Sequence, residues 1–152
     1  MRICKSFSTT TGLSQLYLSG EIMEKSLDEI KEFFRDDKFL HHIGIEIDSV
    51  SDMEAVCSLK LMPQHFNADG GVQGGVIYTL ADTTFAIAAN SSGNITVTLQ
   101  GAIRYLNRAT GSKLIAKTKL SKMSKKICFY EVEITDELGT AVASTEFTGY
   151  IR

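Results

Sequence analysis

The chain has one proline, three cysteines and no excess of positive charge, and each shortage closes off a class of protein. With 43% hydrophobic residues and a single proline, Pro63, it is not a disordered chain. Its 152 residues suffice for one domain with a sizeable core. The cysteines, Cys4, Cys57 and Cys128, lie too far apart to spell a metal-ligand cluster or a disulfide framework. They read as reduced structural thiols of a cytoplasmic protein, with Cys57 and Cys128 inside alternating apolar runs that would bury them. The formal net charge of −2 supplies no basic field to gather nucleic acid, and no zinc-finger, recognition-helix or base-stacking pattern is present. A membrane span needs about 20 apolar residues. The most apolar stretch, Val72 to Asn90, barely reaches that length, starts with Gln73-Gly74-Gly75 and carries Asp82 near its middle. A charge at bilayer depth is costly, so this stretch reads as a buried helix of a soluble protein rather than a membrane anchor.

What is present is a helix among short strands. Residues 1–22 are rich in Ser and Thr, lack a clear pattern, and read as a flexible arm or a mis-assigned start, leaving residues 23–152 as a single domain. Ser26 to Phe39 reads as an amphipathic helix, with Ser26 and Glu29 forming a capping box. His41-His42 reads as a helix-end feature, since no carboxylate or cysteine pattern accompanies the pair, and Gly44 ends the segment. Ile45 to Val50 and Ala55 to Leu61 alternate as strands about a Ser51-Asp52 turn. "PQHFNADGG" is a loop, and Gly74 to Asn90 is the apolar helix. Four more strands follow, near Ile95–Leu106, Lys113–Lys122, Lys126–Thr135 and Thr140–Tyr150, and the last three are spaced as an antiparallel meander. The pattern predicts an α+β fold: one long helix, apolar on every side, wrapped by a curved antiparallel sheet of five to six strands and covered further by a partner subunit.

Asp82 is the anomaly in this helix. It can be structural, paired with a buried arginine, capping a turn or specifying a subunit interface. It can equally be chemical, because a carboxylate in apolar surroundings holds its proton more tightly and suits general-base or nucleophilic work. The glycines ahead of it, Gly70-Gly71 and Gly74-Gly75, allow close backbone approach, and free N–H groups at a helix start can polarise a carbonyl oxygen. Gly74 and Asp82 stand roughly 10 Å apart along the helix. That span is long for one site on one helix. It closes if two helices run antiparallel across a dimer axis, which predicts a shared site made twice per dimer.

The stretches "HFNADGGVQGGVIYTLADTTFAIAANSSG" and "GAIRYLNRATG" resemble the hotdog-fold thioesterases, and within them the phenylacetate-pathway-type branch. The resemblance runs from about Phe39 to Tyr150. It implies dimers whose sheets continue into one another, commonly paired again into a homotetramer, hydrolysis of acyl- or aryl-acyl-coenzyme A thioesters, and no metal or redox cofactor. By motif position it implies Asp82 as the catalytic carboxylate, supplied across the dimer, with Asn67 arranging the substrate carbonyl or water. Gly74 or Gly75 would be the backbone donor, and Thr98 would help hold the attacking water. The family commonly has His-Gly-Gly at the helix start where this chain has Gln73-Gly74-Gly75, and glutamine cannot titrate near neutrality. His65 lies eight residues earlier as a poor positional substitute. The coenzyme A phosphates would need basic contacts, for which Arg104, Arg108, Lys113, Lys122, Lys125 and Lys126 are the nearest candidates, the "SKMSKK" turn being the best cluster. The competing readings are a non-catalytic acyl-thioester-binding protein and a hotdog dehydratase or hydratase, which usually presents a catalytic histidine.

Overall fold

A computed structural model describes residues 24–152. The segment 1–22, read above as a flexible arm or a mis-assigned start, lies outside the described residues, as do Met23 and Cys4.

Two short helices open the described chain. The capping box predicted at Ser26 and Glu29 starts α1, Leu27–Phe33. The single helix expected over Ser26 to Phe39 is in fact two. The chain leaves the first helix after Phe33, and Asp37 caps a second, α2 (Lys38–Ile43), by accepting from the N–H groups of Phe39 and Leu40. Ile30 and Leu40 face the core, whereas Phe33 is 48% exposed, so the apolar stripe that ran through the break was only partly a core stripe. Gly44, at φ 84°, ends α2 in the left-handed conformation that glycine adopts without penalty.

The strands are β1 Ile45–Ser51, β2 Glu54–Lys60, β3 Thr96–Tyr105, β4 Lys113–Met123, β5 Ile127–Asp136 and β6 Ala141–Ile151. They form one antiparallel six-stranded sheet in the order β1-β2-β4-β5-β6-β3, with the expected β4-β5-β6 meander at its centre. Asp52 and Met53 both have positive φ, giving the tight turn between β1 and β2. The long helix α3, Gly74–Ser91, lies in the hollow of the sheet. Phe85 anchors it, stacked on Phe147 at 5.0 Å and edge-on to Tyr130 at 5.4 Å. Cys57 and Cys128 are buried, and burial pushes the Cys57 thiol up to about 12, an inert core group.

The helix is not covered on every side, contrary to its composition. Ile77, Leu80, Ala81, Thr84, Phe85 and Ala88 are buried, while Val76, Thr79, Asp82, Thr83 and Ala86 form a half-open stripe at helical spacing. Polar ties fix where this stripe sits along β3. At the helix end, the buried Asn90 accepts from the Thr96 N–H and donates to the Thr96 carbonyl. At the helix start, the Tyr105 hydroxyl donates to the Gly74 carbonyl at 2.9 Å. Thr96 begins β3 and Tyr105 ends it, so α3 runs antiparallel to β3 with both ends pinned.

Candidate active site

The pinned helix brings Asp82 opposite the first half of β3, where a β-bulge decides which side chain meets it. Thr98 pairs with Gly149 and Gln100 with Thr148, so Leu99 is left unpaired in the ladder. The extra residue lets Thr98 and Gly101 both face inward, although three positions apart they would otherwise point to opposite sides of the sheet. Thr98 donates its hydroxyl hydrogen to Asp82 Oδ1 at 2.9 Å. Burial pushes the Asp82 carboxyl above the ordinary carboxylate range, and the Thr98 hydrogen bond pulls part of the way back. Among the described residues, no lysine, arginine or histidine makes an ion pair with Asp82. The buried-arginine reading of Asp82 therefore has no support in the described structure.

The loop before α3 is built around its own backbone. Asn67 Oδ1 accepts from the N–H groups of Asp69 and Gly71, each at 3.0 Å, so its oxygen shapes the loop. His65 is 1% exposed, and its Nδ1 accepts from the Met62 N–H at 3.1 Å. The His65 ring is therefore buried and holds the loop entry. Gln73 is the N-cap of α3, its side-chain oxygen accepting from the Val76 N–H at 3.1 Å. A non-titrating amide thus does a cap's work at the position where the resemblance implies histidine. The Val76 and Ile77 N–H groups both reach the Gln73 carbonyl, leaving the Gly74 and Gly75 N–H groups without an acceptor among the described residues. Those two amides are the free donors at the positive end of the helix. Gln73→Ala should cost about 1 kcal/mol of stability, the usual worth of a cap, readable as a shift of the denaturant midpoint with an unchanged slope.

The basic candidates scatter. Arg108 donates to the Asp69 carbonyl at 2.7 Å and stands 3.5 Å from the Asp69 carboxylate, so its guanidinium is already engaged by the loop. Arg104 is exposed and 3.5 Å from Glu146. Lys122, Lys125 and Lys126 are exposed on the β4–β5 hairpin, at the end of the sheet where α3 finishes, with Lys126 Nζ 5.5 Å from the Tyr150 ring. Lys113 begins β4 and is half-buried. A groove of about 410 Å³ opens beside the helix start, lined by Asn67, Gly71, Gly74, Tyr105 and Arg108 among others, and Asp82 is not in its wall. The chain thus holds free amides beside a groove and, two turns further along the same helix, a carboxylate. Among the described residues no three His, Cys, Asp or Glu side chains gather as a metal site, and no helix is long and apolar enough to cross a membrane. The sequence reading missed Tyr105, whose hydroxyl contact lies 31 residues from its partner. Its place inside the "GAIRYLNRATG" stretch was the available signal.

Comparison with known proteins agrees with this architecture. The pattern of the Thioesterase superfamily matches residues 69–143. The acyl-coenzyme A thioesterase PaaI of Escherichia coli is 28% identical over 120 residues, covering 78% of this chain and 86% of that protein. A solved structure of the E. coli PaaI protein from the phenylacetic acid degradation operon superposes with a TM-score of 0.76 at 26% identity, covering 80% of this chain and 88% of that one. A hypothetical thioesterase protein from Streptococcus pneumoniae, solved with coenzyme A, superposes with a TM-score of 0.74 at 27% identity, covering 80% of this chain and 96% of that one.

Proposed function

We propose a catalytic assignment for this chain, which belongs to the hotdog-fold thioesterase superfamily in its PaaI-like branch. It is an acyl-coenzyme A thioester hydrolase, releasing a free acid and coenzyme A. Asp82 is the group that delivers water to the thioester carbon. Among the described residues its half-buried carboxylate has one neutral hydrogen-bond donor, Thr98, on Oδ1, so Oδ2 is the oxygen placed to take a proton from water. Direct attack by Asp82 through a mixed anhydride is the second route, and an initial burst of thiol release would reveal it. The oxyanion meets the free helix-start amides of Gly74 and Gly75, and Gln73 keeps that turn capped without titrating. A dehydratase or hydratase would want a proton donor there, which glutamine cannot supply. Arg104 is left to its surface pair with Glu146, and Lys122, Lys125 and Lys126 are the cations available to coenzyme A phosphates.

The free amides and the carboxylate are two half-sites that come together between two copies of the chain. β3 lies at the edge of the sheet, bonded on one side to β6 alone. Ile95 just before β3 and Leu99 at its bulge are 51% and 59% exposed. The half-open stripe of α3 that includes Asp82 faces the same region. An unpaired edge flanked by apolar surface suits continuation of the sheet into a second copy. With antiparallel helices, the Asp82 of one copy reaches the Gly74 end of the other. Sedimentation of the purified protein at micromolar concentration should give a dimer or a tetramer, and an active monomer would overturn the shared site. The assignment as a whole is tested by a panel of acyl- and aryl-acyl-coenzyme A substrates with thiol release followed. Binding without release on every substrate would replace it with a carrier function.

A further inference from the structure

We propose that Tyr105 and Arg108, on the segment leaving β3, are positioning residues that clamp the loop and first turn of α3, holding the free Gly74 and Gly75 amides where the reacting carbonyl meets them. The proposal rests on the thioesterase reading of this site. It moves Arg108 from the coenzyme A contacts to the scaffold of the donors.

The clamp grips two places. Tyr105 donates its hydroxyl hydrogen to the Gly74 carbonyl at 2.9 Å, and its ring lies so close that a Cβ added at Gly74 would stand 3.0 Å from the oxygen and 3.1 Å from the ring carbon bearing it. The Gly74 carbonyl belongs to the peptide whose nitrogen is the free Gly75 amide, and that unit is planar. Fixing the oxygen therefore fixes the direction in which the Gly75 N–H points. Arg108 donates to the Asp69 carbonyl at 2.7 Å, and its guanidinium lies over Gly70 and Gly71, at 3.4–3.5 Å from where their Cβ atoms would be. From inside the loop, Asn67 accepts from the Asp69 and Gly71 N–H groups. The loop is thus tied internally by Asn67 and externally by Arg108, and the helix turn that follows it is tied by Tyr105.

Stability is not what these contacts chiefly supply. Arg108 and Asp69 side chains are 57% and 91% exposed, and an exposed pair of that kind contributes little to folding. Tyr105 is itself 53% exposed. What they supply is direction, and donor geometry is what oxyanion stabilisation depends on. Displacement of a positioned group by about 1 Å can cost up to about 100-fold in rate.

The test compares wild type, Tyr105→Phe, Arg108→Gln and Arg108→Lys on two thioesters with one acyl group, one of coenzyme A and one of pantetheine, which lacks the nucleotide phosphates. The clamp predicts that Tyr105→Phe and Arg108→Gln lower kcat by about 10- to 100-fold on both substrates with KM little changed. Arg108→Lys, which keeps the charge but not the planar fork, should not restore the rate. Amide hydrogen exchange over residues 69–75 should quicken in Tyr105→Phe and Arg108→Gln. A KM effect of Arg108→Gln confined to the coenzyme A thioester, with rescue by lysine, would overturn the clamp and return Arg108 to phosphate binding. So would unchanged exchange over 69–75 in both variants. Absence of thiol release by the wild-type protein from either substrate would instead overturn the thioesterase reading.

Discussion

Asp82→Asn should give a folded protein that has lost at least about 100-fold of its turnover, the range expected when a positioned base is removed. The amide fills nearly the same space and still accepts the Thr98 hydrogen bond, but cannot take a proton from water or serve as the same nucleophile. The stability side of the experiment separates chemistry from structure. Burial raises the Asp82 carboxyl above its unfolded value, so the folded protein favours the protonated form. That preference stabilises the fold at low pH and is lost as pH rises through the folded value. At neutral pH the charge is a burden to the fold, and Asp82→Asn should melt at or slightly above the wild-type temperature. Were Asp82 half of a buried ion pair, the variant would lose about 3–5 kcal/mol and keep its turnover. Because the base must be ionised, kcat/KM should fall on the acid side at a pH above the ordinary aspartate range, and this limb should vanish in Asp82→Asn. Thr98→Ala removes the bond that holds the carboxyl down, so its acid limb should shift to higher pH with a smaller loss of maximal rate. A folded Asp82→Asn enzyme with wild-type hydrolysis would end the catalytic assignment.

Local signals were legible and long-range ones were not. The Ser26–Glu29 box, the Gly44 stop, the tight turn after Ser51 and the β4-β5-β6 meander all rest on residues close in sequence, and all stand in the structure. The break between α1 and α2 was hidden because Phe33, Phe34 and Leu40 continue a helical stripe across it, while the decisive event is Asp37 capping a new turn. The α3 stripe at Val76, Thr79, Asp82, Thr83 and Ala86 looked like core because small and threonine side chains match an apolar pattern whether they meet this chain or another. The Thr98–Asp82 bond depends on a bulge at Leu99, and period-two alternation through Thr96 to Tyr105 cannot show where a register slips. Arg108 looked like a free cation for the same reason, since its partner Asp69 lies 39 residues earlier. Asp136 is the clearest case of an unread carboxylate. Burial opposes its charge, yet hydrogen bonds from the Thr110, Thr140 and Gly111 N–H groups outweigh that and hold it far below the usual range. With Glu137, whose carboxylate accepts from Ser112 and Lys113, it fastens the turn that follows Arg108.

Gly101→Ala should destabilise the protein and slow it together. Gly101 faces inward on β3 directly against the helix: an added Cβ would stand 2.3 Å from the Tyr78 hydroxyl oxygen and 2.4 Å from the edge of the Phe147 ring. Phe147 is not free to swing aside. It is buried, stacked on Phe85 and in contact with Tyr78 at 5.7 Å, so displacing it disturbs the centre of the core. Overpacking of this kind costs about 1–3 kcal/mol. For a chain of this length each kcal/mol lowers the melting temperature by about 2–4 °C. The rate effect follows from the same geometry. Tyr78 lies one helical turn before Asp82 on the same face, so pushing α3 away from β3 lengthens the Thr98–Asp82 contact that orients the carboxylate. In the double variant Tyr78→Phe with Gly101→Ala, the nearest clashing atom is gone. Melting should then recover part of the loss, a coupling expected only for residues in contact. Unchanged melting and unchanged turnover in Gly101→Ala would mean that helix and strand separate at no cost, and that the close approach at Gly101 plays no part in setting the position of Asp82.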